Sequence, residues 1–189
     1  RHSPELLLVA GFGGALTPLP PPGGVVIASS CRRWVPERRL LQPQSLPLPP
    51  VPLAPLLRYL RRCGVPVMEG TMITTGQITP KRLIVPSVGH LEAPVLDLET
   101  ADLAAVAQTL GLPLLVVRAI TDGAGEEIPD FLAQIIRRHQ GVPLRRLLPA
   151  LLVQPRRFLH ILHLWRRSRQ AAANLARTLT HLLAFWSEN

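Results

Sequence analysis

Two apolar runs in this chain each stop at a carboxylate. They are Val95-Leu96-Asp97-Leu98-Glu99-Thr100 and Val116-Val117-Arg118-Ala119-Ile120-Thr121-Asp122. Between them lies a helix-like segment, Ala101 to Gly111, so the stretch reads as a strand, helix, strand unit. In a parallel arrangement of such a unit, both carboxylates arrive at one edge of the sheet, where open α/β folds bind ligands. Two acids at one edge suit chemistry that stabilises positive charge on one side of a breaking bond and supplies a proton on the other.

The rest of the chain supplies elements for an α/β fold. Glu5 to Ala10 reads as a buried strand bounded by a glycine turn, Gly11 to Gly14, and Val25 to Ser29 as the next strand. Thr17 to Gly23 is a proline-rich loop. Gln42 to Pro55 carries six prolines and excludes an ordinary helix or central strand. Leu56 to Cys63 alternates leucines and arginines as an amphipathic helix does, and Met68 to Thr75 reads as a strand. After Pro129 the pattern turns helical: Phe131 to His139, Leu144 to Val153, then a long segment from Pro155 to Trp186, broken at most once. The expected division is an α/β unit over 1–140 and a helical extension over 141–189.

Composition narrows the function classes. The 189 residues suffice for one substantial core. No apolar run reaches the roughly 18 residues that span a bilayer, and no signal peptide pattern opens the sequence, which starts without Met, as a trimmed or partial chain would. Cys31 and Cys63 stand far apart in no metal-like spacing and read as reduced thiols, so a cytoplasmic location is expected. The histidines show neither triad nor metal spacing, and no P-loop or dinucleotide fingerprint is present. The net charge of +9 is uneven: from Ile128 onward ten arginines stand against Asp130 and Glu188 alone. Lys81 is the single lysine, as the composition of a GC-rich genome would give. Aromatic content of 4% and the lack of a recognition motif argue against nucleic acid.

The motifs, in order, resemble those of the purine nucleoside phosphorylase and methylthioadenosine/adenosylhomocysteine nucleosidase superfamily. Its Met-Glu is similar to Leu98-Glu99, and its Arg-x-Ile-Ser-Asp to Arg118-Ala119-Ile120-Thr121-Asp122. Leu6 to Leu16 resembles its strand and glycine turn, and Gly24 to Ala28 the strand that follows, though Gly23-Gly24 replaces the usual Asp. The resemblance runs from Leu6 to Ile128. It implies a three-layer α/β/α sandwich around a mixed central sheet, with a helical C-terminal extension. It also implies that the chain starts at the family's third or fourth strand, with the phosphate-binding glycine loop and the water-activating acid lying upstream.

The activity it implies is cleavage of the N-glycosidic bond of a purine nucleoside by phosphate or water. No cofactor is expected beyond phosphate as co-substrate, and no metal. By this resemblance Asp122 and Glu99 are the catalytic residues: Asp122 passes a proton to the purine ring, and Glu99 grips the ribose hydroxyls and faces the oxocarbenium-like transition state. Gly11, Phe12, Gly13 and Gly14 would line the sugar pocket beside Leu98, with Thr75 near the base and Arg118 and Thr121 completing the substrate-binding set. Simpler readings stand beside these. Asp122 can cap a helix, Glu99 can complement a helix dipole, the glycines can form an empty turn, and Arg118 can be a sheet-face arginine paired with Asp97 or Glu99. The greasy, arginine-rich C-terminal helices can lie on an anionic membrane surface or cover the sheet or a partner subunit, and a homo-oligomer is expected. With Pro155-Arg156 and an Ala-rich finish, this tail is similar to the hopanoid-associated phosphorylases, which implies a lipid-linked adenosine as substrate. The competing class is a non-catalytic remnant that binds a ligand, membrane or partner.

Overall fold

The computed structural model describes residues 4–48, 52–127 and 155–187. Six strands form one mixed sheet: β1 (Leu7–Ala15), β2 (Val25–Val35), β3 (Leu40–Gln44), β4 (Val67–Thr74), β5 (Val95–Asp97) and β6 (Leu114–Asp122), in the order β3-β2-β4-β5-β1-β6. The helices are α1 (Leu53–Arg62), α2 (Thr100–Leu110) and α3 (Pro155–Ser187), with short 3-10 turns at Lys81–Leu83 and Val85–Ser87. The expected helices at 131–139 and 144–153, and the expected boundary at 140/141, lie outside the described residues. The segment from Pro155 is one helix, unbroken to Ser187.

Side chains alternate across the sheet, as the pleat requires. On β6, Leu114, Val116 and Ile120 join Ala101, Ala104 and Ala107 of α2 in one core cluster. Leu115, Val117 and Ala119 join Leu56, Leu57 and Leu60 of α1 and Ala171 and Leu182 of α3 in another. Helices therefore cover both faces, in the three layers that the resemblance implies. Helix α1 turns its three leucines inward and leaves Arg58, Arg61 and Arg62 exposed; each buried leucine contributes about 1.5–3 kcal/mol. Helix α2 stops at Gly111, whose φ of 65° is the left-handed value glycine adopts freely. Strand β3 tolerates Pro43 because it pairs only with β2, at the sheet edge.

Two features depart from the sequence reading. First, β5 and β6 are not parallel neighbours. Strand β1 lies between them, parallel to β6 and antiparallel to β5. Strands β2 and β6 also pair, antiparallel, from Val25↔Ala119 to Ile27↔Val117, so five strands close into a ring with β3 outside it. The acids still converge, because β5 is only three residues long and meets β1 at Gly14↔Leu96 and Ala15↔Val95. It then runs back along β1, while β6 reaches the same place from the other side at Gly14↔Asp122. Second, Gly11 to Gly14 form no turn. They continue β1 in register with β6, from Gly11↔Arg118 to Gly14↔Asp122, with one irregularity after Gly13. Glycine is required here by side chains crossing the strand, not by a bend. A Cβ on Gly11 would collide with the Arg118 guanidinium, and one on Gly14 would lie 2.6 Å from Asp122 Oδ2 and 3.1 Å from Lys81 Nζ.

Candidate functional site

Over this bare stretch of β1 opens a pocket of about 480 Å³, within the range of small-molecule sites, roughly 300–1,000 Å³. Every site residue expected from the sequence lines it. Gly11, Phe12, Gly13 and Gly14 come from β1, Thr75 from the end of β4, and Leu98 and Glu99 from the end of β5. Arg118, Thr121 and Asp122 come from β6. Phe12 and Leu98 stay 50% and 44% exposed and make an apolar lip.

The floor is a buried polar network. Asp97 Oδ1 accepts from Thr74 Oγ1 at 2.7 Å, and Asp97 Oδ2 accepts from Arg118 Nε at 3.0 Å and Nη2 at 2.8 Å, and from the Thr100 hydroxyl. The Thr100 amide also points at both carboxylate oxygens, 3.3 and 3.4 Å away, so Asp97 closes the N-terminus of α2. Thr74 Oγ1 in turn accepts from the Ala101 amide at 3.0 Å. Asp97 and Arg118 are both buried, and no buried side-chain polar atom among the described residues lacks a partner. Cys31 Sγ touches Thr74 Oγ1 at 3.9 Å. Burial pushes its thiol from 9.0 up to about 11, the Thr74 bond lowers it in part, and the Asp97 charge raises it further.

Glu99 stands differently. Its side chain is 66% exposed at the pocket edge, 3.6 Å from Arg118 Nη2. It occupies the N-cap position of α2 but makes no side-chain cap bond there; Asp97 does that work. Arg118 thus pairs with both acids, closely with Asp97 and loosely with Glu99, and its place on the sheet face fits the salt-bridge reading.

Asp122 closes β6 at the other end of the pocket, and no helix starts at it among the described residues. Oδ1 accepts from Thr121 Oγ1 at 2.6 Å, and Oδ2 forms an ion pair with Lys81. The sequence reading left Lys81 out of the site. It is 3% exposed and also donates to the Gly123 carbonyl at 2.7 Å. Glu127 plants it there by accepting from the Lys81 amide at 3.0 Å and the Arg82 amide at 3.1 Å, at the start of the 3-10 turn. The signal for Lys81 was the one lysine in a chain of arginines. Behind Asp122, Glu126 accepts from the Gly123 amide at 2.9 Å and pairs with Arg167 of α3.

Helix α3 covers the sheet over its described side chains, burying Ala171, Thr178 and Leu182 and giving Asn174 Nδ2 to the Gly23 carbonyl at 2.7 Å. No described helix is long and apolar enough to cross a membrane, and no described group of His, Cys, Asp or Glu could hold a metal ion.

Comparison with known proteins bears on the family and the fold. No curated protein matches the sequence. Among solved structures, the chain is similar to a 5'-methylthioadenosine/S-adenosyl homocysteine nucleosidase of Campylobacter jejuni (19% identity, TM-score 0.51, over 68% of this chain and 62% of that one). It is similar to a futalosine hydrolase mutant of Helicobacter pylori (19%, TM-score 0.50, 71% and 65%). The H. pylori 5'-methylthioadenosine/S-adenosylhomocysteine nucleosidase with butyl-thio-DADMe-Immucillin-A is similar too (18%, TM-score 0.51, 71% and 62%). The chain spans 62–65% of the length of these structures, and at such identity the likeness is one of fold. The sequence pattern of the Phosphorylase superfamily matches residues 1–149, nearly four-fifths of the chain. The chain therefore belongs to the phosphorylase superfamily.

Proposed function

We propose that the pocket cleaves the N-glycosidic bond of a purine nucleoside, with phosphate or water taking the sugar. The observation that carries this is the convergence of Asp122 and Arg118 from β6 and Glu99 from the end of β5 on one pocket, although the two strands are not neighbours in the sheet. The reaction needs a group to neutralise the departing base at one end and negative charge beside the sugar at the other. Asp122 serves the base, with Thr121 on its carboxylate. Glu99 holds the ribose hydroxyls, its exposed carboxylate still able to accept. Gly11 to Gly14 let the sugar lie against β1, Thr75 borders the base, and Arg118 orients Glu99.

The favoured substrate is an adenosine carrying a lipid, in a protein of the cytoplasm that touches membranes peripherally and acts as a homo-oligomer. Its support is the apolar lip of Phe12 and Leu98, together with Trp165 and Leu183, exposed five turns apart on one face of the basic helix α3.

A base-release assay tests the reading, on the chain and on an upstream-extended form. Adenosine, methylthioadenosine and an adenosine lipid would be offered with and without phosphate. Release that requires phosphate and is lost in Asp122→Asn is the phosphorylase outcome; release without phosphate is the hydrolase outcome. A folded protein that releases no base in either form leaves a binding pocket without catalysis.

A further inference from the structure

We propose that Lys81 is the proton source for the leaving base, acting through Asp122; this rests on the nucleoside-cleavage reading above. Both oxygens of Asp122 already receive hydrogens, Oδ1 from Thr121 and Oδ2 from Lys81. A carboxylate engaged in this way is an acceptor with no proton of its own to give. Of its two donors, both of which line the same pocket, the charged Lys81 ammonium is the one that can give up a proton and become neutral. Its placement is built rather than incidental. The backbone is clamped by Glu127, the ammonium is seated on the Gly123 carbonyl, and Gly14 is bare where the side chain crosses β1. A surface lysine would need none of this, and ammonium groups are rarely buried unless paired.

The step balances. As the C1'–N9 bond breaks, its electron pair goes to the purine. A ring nitrogen takes a proton from Asp122, which takes one from Lys81 and leaves a neutral amine beside the carboxylate. The phosphate or water that captures the sugar loses a proton in doing so, and that proton restores the ammonium. Lys81 acts through another group, so it is a positioning and relay residue rather than one that touches the base.

The decisive variant is Lys81→Arg, because a guanidinium keeps the charge that steadies Asp122 but does not release a proton in proteins. Adenosine is compared with a 4-nitrophenyl riboside, whose leaving group needs no proton. In a relay, Lys81→Arg and Lys81→Met lose about 10²–10⁴-fold on adenosine. The loss on the nitrophenyl riboside is much the smaller of the two, and circular dichroism reports that both variants fold. Lys81→Arg matching the unaltered chain on adenosine overturns the relay and leaves the cleavage reading intact. No release from either substrate by the folded, unaltered chain overturns both. A second readout needs no turnover. Labelling the lysine side chain with 15N gives one signal, since Lys81 is the only lysine. Adenine should shift that signal in the unaltered chain and not in Asp122→Asn. A signal indifferent to bound adenine overturns the proposal.

Discussion

Two buried carboxylate–cation pairs face the same pocket, and they are built to different standards. Asp97 is held by Arg118 through two nitrogens, by two threonine hydroxyls and by a helix amide. Asp122 is held by one hydroxyl and one ammonium. The planar guanidinium fixes its partner with several donors at once, whereas an ammonium is a point charge whose proton can leave. A pair of the first kind makes a floor, and a pair of the second kind can take part in chemistry. On the proposed function, the difference between scaffold and reagent lies in the number and kind of donors, since both acids are carboxylates at strand ends.

The sharpest way to break the contrast is Asp97→Ala. It leaves Arg118 with only its looser contacts to Glu99 and Thr100 and uncaps α2, and breaking a buried pair in this manner costs about 3–5 kcal/mol. Urea unfolding should reveal that loss; a midpoint unchanged from the parent would mean that the floor carries no structural load. Asp122→Asn should do the opposite, reducing base release by about 10²–10⁴-fold while lowering the unfolding midpoint less than Asp97→Ala does. Equal losses of stability from the two variants would erase the distinction.

Gly14→Ala tests the clearance over β1. Its methyl would press on Asp122 and Lys81, and overpacking of this kind costs about 1–3 kcal/mol. A crystal structure of the variant should show the Lys81–Asp122 pair displaced, and an undisturbed pair would contradict the account of the glycine.

Cys31 probes the floor by pH. Its thiol is raised to about 11 in the fold, so its contribution to stability is complete below the ordinary thiol value and is lost as pH climbs from 9 towards 11. Thiol labelling at pH 8 should modify the half-buried Cys63 and spare Cys31 until the protein unfolds; early labelling of Cys31 would show the floor to be loose. Asp102→Ala, on the pair between Arg33 and the exposed Asp102, should change stability by no more than about 1 kcal/mol, and a larger loss by differential scanning calorimetry would mean that this surface pair works like the buried ones.

The acids of the pocket were legible because apolar runs stopped at them, and the order of the motifs added the glycines and their neighbours. The geometry that joins them was not. Strand direction depends on partners distant in sequence, so nothing in Val95 to Thr100 tells that β5 runs antiparallel to β1. The glycine run looked like a turn because glycine signals bends and close approach alike; only the Arg118, Asp122 and Lys81 side chains lying over it decide between them. Lys81 was visible as a singular residue but not as a site residue, since a lone lysine carries no spacing to read. Helix α3 was readable as amphipathic, and its contact with the sheet settles what its described inner face does.

The link from Arg167 through Glu126 to the Gly123 amide has a mechanical meaning. Helix α3 grips the loop that immediately follows Asp122, and seven residues further along it Asn174 grips Gly23, whose own amide donates to Ile120 on β6. The far-face helix therefore braces the last turn of chain beneath the pocket acid from two points. A force that tilted α3, from any surface it rests on, would act as a lever on Asp122 without touching the pocket.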